Sequence, residues 1–425
     1  MRRDWLPPEL PQIHRLLRRE GPVELEQLLA NSPLASLGAS DLRLERIRYR
    51  PGRNCLITWS ARLENRVEPY RTFLSLLACR DGESRDHLPA NGRAGNDIDG
   101  DATHLPELDA VIRLFPADRK LRGIVRLDDP ATLVPDLALS VRPLNPGGRL
   151  ELIQFVAERS VTVRVMLNDA AGWGYGKFYR PGESKVAWEI MTHLWNSEPC
   201  RSGRLAIPAP LGHHPATESI WMRGLEGIAI DSGATEEELT EIGRTIAVLH
   251  TLPGDGLTEV TARNQREELT RAIETILSVR PDLEERVSRL APRLESSSGA
   301  DRVHLHGDLH LKNIFRLVKG AVGLIDLDNA VRGDRWLDLA SLAAGLWYQA
   351  LEMQHDHDRV DDQIAWIMAG YQQSSGQTID KQHWRRMVAC KLLSERAYRC
   401  VTRLKPNLSN ILERLVLKAE RMARA

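Results

Sequence analysis

Apolar and polar residues alternate with a period of two in short stretches of the first half of this chain. Through most of the second half they recur every three to four residues. The run Leu-Glu-Arg-Ile-Arg-Tyr-Arg, the turn Pro51-Gly52-Arg53-Asn54 and the run Cys-Leu-Ile-Thr-Trp-Ser predict a hairpin over 43–60. A second hairpin is predicted at 151–167, where Leu152-Ile-Gln-Phe leads through Val156-Ala-Glu-Arg-Ser160 into Val161-Thr-Val-Arg-Val-Met-Leu. Gly172-Trp-Gly-Tyr-Gly-Lys177-Phe-Tyr-Arg reads as a turn into a further strand, its glycines as a flexible turn. Glu-Ser-Ile-Trp-Met-Arg (218–223) reads as another, ended by Gly224 and Gly227.

Helical spacing covers the rest. Residues 8–30 predict a short helical preamble, and Pro181–Trp195 a helix with Val186, Ile190 and Leu194 on one face. Thr235 followed by Glu238 is a capping box, and Leu239, Ile242, Ile246 and Leu249 continue it as an amphipathic helix. Further helices fit 263–279, 282–295, 336–353, 361–374, 383–403 and 408–424. Residues 80–105, poor in apolar groups and rich in Gly, Asp, Asn and Arg, read as an exposed, mobile loop.

The two hairpins can be superposed in sequence. Ile47 meets Ile153, Tyr49 meets Phe155 and Arg53 meets Arg159, an internal repeat about a hundred residues apart. Chance similarity between hairpins is the alternative. If the repeat is real, residues 39–140 are a degenerate copy of the small lobe that follows. At 425 residues the chain is too long for one typical core. The divisions expected are an N-terminal accessory region (1–140), a β-rich small lobe (141–225) and a mostly helical lobe (226–425).

Charge excludes little. Lys and Arg together number 58, as do Asp and Glu, so no electrostatic footprint points to nucleic acid or an anionic membrane. The segment 384–403 is locally basic (Arg385, Arg386, Lys391, Arg396, Arg399, Arg403) and reads as a solvated face. Five scattered cysteines without a CxxC pair argue for a reducing compartment and against structural zinc. No stretch reaches the ~18 apolar residues of a membrane span, and the first residues lack the apolar centre of a signal peptide. A soluble, cytoplasmic protein is expected.

The chemistry concentrates in His304-Leu-His306-Gly-Asp308-Leu-His310-Leu-Lys-Asn313, followed by Ile325-Asp326-Leu-Asp328. Asp308 and Asn313 are five residues apart, which suits one tight loop. Asp326 lies thirteen residues past Asn313, across a segment that reads as a hairpin with a Lys319-Gly320 turn. That hairpin returns Asp326 beside Asn313. One carboxylate and one amide oxygen can then hold Mg²⁺ against nucleotide phosphates, leaving Asp308 to orient a hydroxyl. A polar loop that merely caps its own backbone is the bland alternative.

These elements, with Gly333-Asp334-Arg-Trp-Leu-Asp338-Leu-Ala, resemble the aminoglycoside phosphotransferase and choline kinase-like family. The resemblance is specific across 304–340, extends over about 150–405 and is faint before 140. It implies an α+β, two-lobed protein-kinase-like fold with an extra N-terminal α/β region. It implies Asp308 as catalytic base, Asn313 and Asp326 as magnesium ligands, and Asp328 near a second ion. Asp338 matches a structural position that braces the catalytic loop. Lys177 looks like the strand lysine that contacts the α- and β-phosphates, with Glu189, or else Glu183, as its helix partner. Met222, Arg223 and Leu225 resemble the hinge whose backbone binds adenine. The glycine-rich phosphate cover of kinases falls at Val156–Ser160, which has no glycine, and no Walker-A pattern is present.

The function expected is therefore transfer of the γ-phosphate of ATP or GTP, with Mg²⁺, to a hydroxyl of a small molecule: an amino sugar, a sugar or a choline-like alcohol. Trp336, Trp347, Tyr348, Glu352, Asp356 and Asp358 offer aromatic and acidic groups for a cationic or sugar-like acceptor; core tryptophans and solvated acids are the alternative. Two rival readings remain. A nucleotide-binding pseudokinase would act by docking. A zinc hydrolase would use His304, His306, Asp308 and His310, close to an HxHxDH signature but with Leu309 breaking the spacing. Oligomeric state is not legible.

Overall fold

The period-two segments build two antiparallel sheets. In the computed structural model the described residues are 3–64, 70–88, 98–99, 102–128, 150–166, 172–294, 302–353, 357–378 and 380–424. Helices α1 (Pro11–Leu16) and α2 (Gly21–Ala30) precede strands β1 (Ala39–Arg50), β2 (Asn54–Leu63), β3 (Tyr70–Cys79), β4 (Ile98–Asp99), β5 (Ala102–Leu105) and β6 (Ala110–Leu114). These six strands form one sheet in the order β1-β2-β3-β6-β5-β4. Nearly every position of β2 is buried, so both faces of this central strand are covered. The strands β7 (Glu151–Val156), β8 (Ser160–Met166), β9 (Trp173–Phe178), β10 (Pro210–His214) and β11 (Ser219–Arg223) form the second sheet, in the order β7-β8-β9-β11-β10. Between β9 and β10 comes α3 (Glu183–Trp195).

The sheets repeat one another. With the two-residue β4 set aside, each runs first-second-third-fifth-fourth. In each, a Pro-led 3₁₀ turn (Pro106–Leu108 or Pro215–Thr217) ends in a left-handed acidic residue, Asp109 or Glu218. The amide of Cys79 donates to Asp109 O at 3.0 Å, and that of Tyr179 to Glu218 O at 2.9 Å. Arg80-Asp-Gly82-Glu-Ser84 and Arg180-Pro-Gly182-Glu-Ser184 follow the third strands, with Gly82 at φ 84° and Gly182 at φ 85°. Ser84 Oγ lies 2.8 Å from His104 Nε2; Ser184 Oγ lies 3.0 Å from His213 Nε2. Identical backbone bonds and side-chain pairs at equivalent positions are far beyond chance hairpin likeness. The N-terminal sheet is a structural repeat of the second sheet. Its counterpart of Lys177 is Leu77, which is buried.

Part of the expected loop at 80–105 is ordered structure instead. Glu83–His87 forms a 3₁₀ turn, and Ala102–Leu105 is a buried strand in which Thr103 and His104 are also covered. A polar composition hid a strand whose polar groups are satisfied internally. Residues 89–97 lie outside the described residues. The stripe on α3 also differs. Ala187, Ile190 and Leu194 are buried, whereas Val186 is exposed. Gly174 and Gly176 belong to strand β9 rather than to a turn. A Cβ on Gly176 would come within 2.6 Å of the Trp221 ring, so this glycine makes room for the indole.

After the short strand β12 (Gly227–Ala229), the helical part contains α4 (Glu236–Leu249), α5 (Ala262–Leu277), α6 (Glu284–Leu294), α7 (Trp336–Met353), α8 (His357–Ser375), α9 (Lys381–Lys391) and α10 (Leu408–Arg424). Thr235 caps α4 in the predicted box. Helices α4 and α8 cross closely through two glycines. A Cβ on Gly243 would stand 1.9 Å from Ile367 O, and one on Gly370 would stand 1.9 Å from Thr240 O. The chain divides into two compact units. The first is Met1–Ser184 with Gly212–Trp221 and Cys400–Leu408; the second is Lys185–Leu211, Met222–Arg399 and Ser409–Ala425. No helix among the described residues is long and apolar enough to cross a membrane.

Candidate active site

Strand β13 (Arg302–Leu305) pairs antiparallel with β16 (Val331–Asp334) and delivers the chain into the loop 306–310. Gly307 turns that loop at φ 80°, where a Cβ would stand 2.0 Å from Asn329 O, so only glycine fits. Asp338, buried in the first turn of α7, accepts the amides of His306 (2.7 Å) and Gly307 (3.1 Å). His250 Nε2 also lies 3.3 Å from this carboxylate. Burial pushes the Asp338 carboxyl up, but His250, His306 and the amide bonds outweigh it and hold it below the usual range. The brace predicted for Asp338 is thus a set of hydrogen bonds to the loop backbone.

His306 ties the loop to the following hairpin. Its Nε2–H donates to Ile325 O at 2.9 Å, and its Nδ1 accepts from the Asp308 amide at 3.4 Å. Strands β14 (Ile314–Leu317) and β15 (Val322–Leu324) pair with Ile314 opposite Leu324, and Ile325 N donates to Asn313 O at 3.0 Å. The predicted hairpin therefore exists and brings Asp326 back to Asn313. The buried Asn313 donates from Nδ2 to Asp308 O at 3.1 Å, which leaves its amide oxygen as the group it can offer a ligand. Asp326 follows at φ 63°, a left-handed conformation uncommon for aspartate. An amide oxygen and a carboxylate are hard donors, and this set fits Mg²⁺ rather than a soft metal.

Arg399 is the residue that sequence reasoning missed. Its Nη2 donates to Asp308 Oδ1 at 3.0 Å. Burial pushes the Asp308 carboxyl up, but the Arg399 guanidinium outweighs it and holds it below the usual range. The basic segment 384–403 is not a solvated face. A π-helical turn, Leu392–Ala397, follows α9, and within it Arg396 is buried and bonds to Ser341 O at 2.7 Å. Lys391 pairs with Glu395 at 2.8 Å. The one available signal was the Lys391/Glu395 spacing of four beside Leu392 and Leu393.

Asp308, Asn313 and Asp326 thus come together in the second unit. Lys177 lies in the first, on β9 opposite Thr162, its Nζ 5.5 Å from the centre of the Tyr179 ring. Glu189 is exposed and stands 3.8 Å from Lys185, one turn away. It lines a cleft with Thr192, His193, Glu198, Arg204 and Pro253, whose walls include none of the residues above. Glu183 bonds to Arg180. Arg223 N, in the predicted hinge between Met222 and Leu225, donates to Ala209 O at 2.8 Å.

The zinc arrangement is not formed. Among the described residues no three of His, Cys, Asp and Glu are grouped to hold a metal. His304 is buried in strand β13, and burial pushes its imidazole down to about 4. His306 spends Nε2 on a carbonyl, and His310 is a partly buried loop residue. Of the expected acceptor groups, Trp347 is core, with Lys418 Nζ 3.0 Å over its ring. Trp336 packs edge-on to Tyr371 at 5.4 Å, Glu352 and Asp358 are exposed, and Asp356 lies outside the described residues.

Residues 176–375 match the model of the phosphotransferase enzyme family, the aminoglycoside phosphotransferase type. No curated protein matches the chain by sequence. Among solved structures, the choline kinase of Cryptosporidium parvum Iowa II is similar with a TM-score of 0.51 and 10% identity, over 70% of this chain and 96% of its own. A candidate aminoglycoside phosphotransferase of Ralstonia eutropha JMP134 gives 0.51 and 15%, over 70% and 98%. An amicoumacin kinase in complex with AMP-PNP, Ca²⁺ and Ami gives 0.50 and 11%, over 71% and 96%. The braced loop with its returning hairpin lies within residues 176–375, the part of the chain that matches the phosphotransferase enzyme family model, and the chain shares its fold with these solved structures.

Proposed function

We propose that this protein transfers the γ-phosphate of ATP or GTP to a hydroxyl of a small molecule: an amino sugar, a sugar or a choline-like alcohol. The observation that carries this reading is the grouping of Asp308, Asn313 and Asp326 on one loop and hairpin braced by Asp338. Asn313 and Asp326 would hold Mg²⁺, which when bound would neutralise phosphate charge. Lys177 is assigned to the α- and β-phosphates, Glu189 to orienting it, and the backbone of Met222–Leu225 to adenine, on family resemblance.

Phosphoryl transfer asks little covalent help of the protein and much positioning. Asp308, kept ionised by Arg399, would accept the hydrogen bond of the acceptor hydroxyl and take its proton late in the reaction. Arg399 on Oδ1 holds the carboxylate plane. The relatives' names point to hydroxyl acceptors, and a cytoplasmic location fits them.

The test is a thermal-shift titration with ATP and GTP, with and without Mg²⁺, followed by an acceptor screen. A magnesium-dependent rise in melting temperature supports the reading by mass action. No rise with either nucleotide would refute it.

A further inference from the structure

The turn between β7 and β8 is held in an unusual way. Glu158, at its tip, adopts φ 61° and is only 4% exposed. The equivalent residue of the N-terminal copy is Gly52, at φ 68°. The turns match bond for bond. Arg53 N donates to Arg50 O at 3.0 Å, and Arg159 N to Val156 O at 2.9 Å. An upstream acid caps each tip: Gly52 N donates to Glu9 Oε1 at 3.3 Å, and Glu158 N to Asp118 Oδ2 at 2.8 Å. In one copy, then, glycine relieves the left-handed strain. In the other, a glutamate bears it, which happens only where surroundings over-determine the conformation.

The surroundings are four cations. Arg48 and Arg50 of β1 reach Glu158 Oε2 at 2.9 and 3.1 Å, Arg119 reaches Oε1 at 2.8 Å, and Lys120 lies 3.8 Å away. Burial pushes this carboxyl up, yet Arg119, Arg50 and Arg48 hold it below its usual range. Phe155, beside the turn, packs edge-on against Phe73 of β3 and Phe115 at 5.8 and 5.1 Å. The N-terminal sheet thus grips both the tip and the root of the hairpin. The same sheet has Leu77 where the other has Lys177, so it lacks the phosphate-binding lysine of a nucleotide lobe.

We propose that Glu158 is a positioning residue for the nucleotide: its clasp with Arg48, Arg50, Arg119 and Lys120 fixes the β7–β8 turn, and the N-terminal copy supplies the grip. In kinases the first hairpin of the small lobe covers the phosphates, through mobile glycines. Here the turn has no glycine and is ordered in advance, so nucleotide binding does not bear the cost of ordering it. The proposal rests on the kinase reading above.

The experiment is calorimetric titration of Mg-ATP, or Mg-GTP, into the full chain as wild type, Glu158→Gln and Arg119→Gln. Glu24→Gln, which breaks the Arg15–Glu24 pair, serves as control. Steady-state kinetics and hydrogen exchange of amides 156–160 accompany it. Both clasp variants are expected to raise the nucleotide Kd and KM about tenfold, to speed exchange at the turn, and to leave kcat and the acceptor KM unchanged. Wild type that binds no nucleotide overturns the kinase reading and the clasp with it. Wild type that binds, with Arg119→Gln binding as tightly, overturns the clasp alone. A parallel fall in kcat and rise in acceptor KM marks general damage and also overturns it. Arg119→Gln removes one cation of four, so the test stands even if Glu158→Gln does not fold.

Discussion

Arg399 donates to Asp308 at 3.0 Å, so the carboxylate assigned to proton acceptance is paired with a guanidinium from the far end of the chain. The pair keeps Asp308 ionised against the effect of burial. Asp308→Asn should lower kcat by about 10²–10⁴-fold while Mg-nucleotide binding persists. Single-turnover kinetics and calorimetry on the same preparation would separate the two, and wild-type turnover would remove Asp308 from the mechanism.

The same pairing sets a pH dependence. A folded-state pKa held below its unfolded value contributes stability that is present above the unfolded pKa and is lost as pH falls through the folded one. Asp308 follows this sign, and so does the rate, because the base must be ionised. In Arg399→Gln the acid limb of kcat/KM should move to higher pH. An unmoved limb would show that Arg399 does not tune this carboxyl.

Asp326→Ala should abolish the magnesium-dependent part of nucleotide-induced thermal stabilisation, read against the variant's own unliganded melting temperature. Lys177→Met should instead weaken nucleotide binding with and without the ion. Variants that both respond to Mg-ATP like wild type would exclude these residues from the phosphate site.

Asp338→Ala would leave the amides of His306 and Gly307 and the ring of His250 without their shared acceptor. A destabilisation of about 2–5 kcal/mol is expected, read as a lower midpoint in chemical unfolding. An unchanged midpoint would deny the brace.

Gly243→Ala tests the helix crossing. The added methyl would meet Ile367 O at 1.9 Å, backbone against which no rotamer gives relief. Overpacking of this kind costs about 1–3 kcal/mol, and the chemical-unfolding midpoint should fall. Gly345→Ala, whose methyl would meet the Arg396 guanidinium at 3.3 Å instead of backbone at 1.9 Å, should cost less.

Periodicity and motif spacing determined much of this protein. The hairpins at 43–60 and 151–167, helices 336–353 and 408–424, and the loop joining Asp308, Asn313 and Asp326 are local in sequence. Short-range hydrogen bonds and caps decide them, so their residues carry the signal. The full extent of the repeat was not legible. Beyond the hairpins it lies in shared bonds such as Cys79–Asp109 and Tyr179–Glu218, which join residues tens of positions apart. Charge placement, apart from the local Lys391–Glu395 pair, was decided by tertiary structure. Arg399, Arg396 and Lys391 look like surface residues because charge in a helix is usually solvated. They are drawn inward because Asp308, Ser341 and Glu395 offer oxygen partners there. Glu158 is the same case. No local pattern foretells a buried glutamate in a left-handed turn, since the four cations that make it tolerable come from residues 48–50 and 119–120.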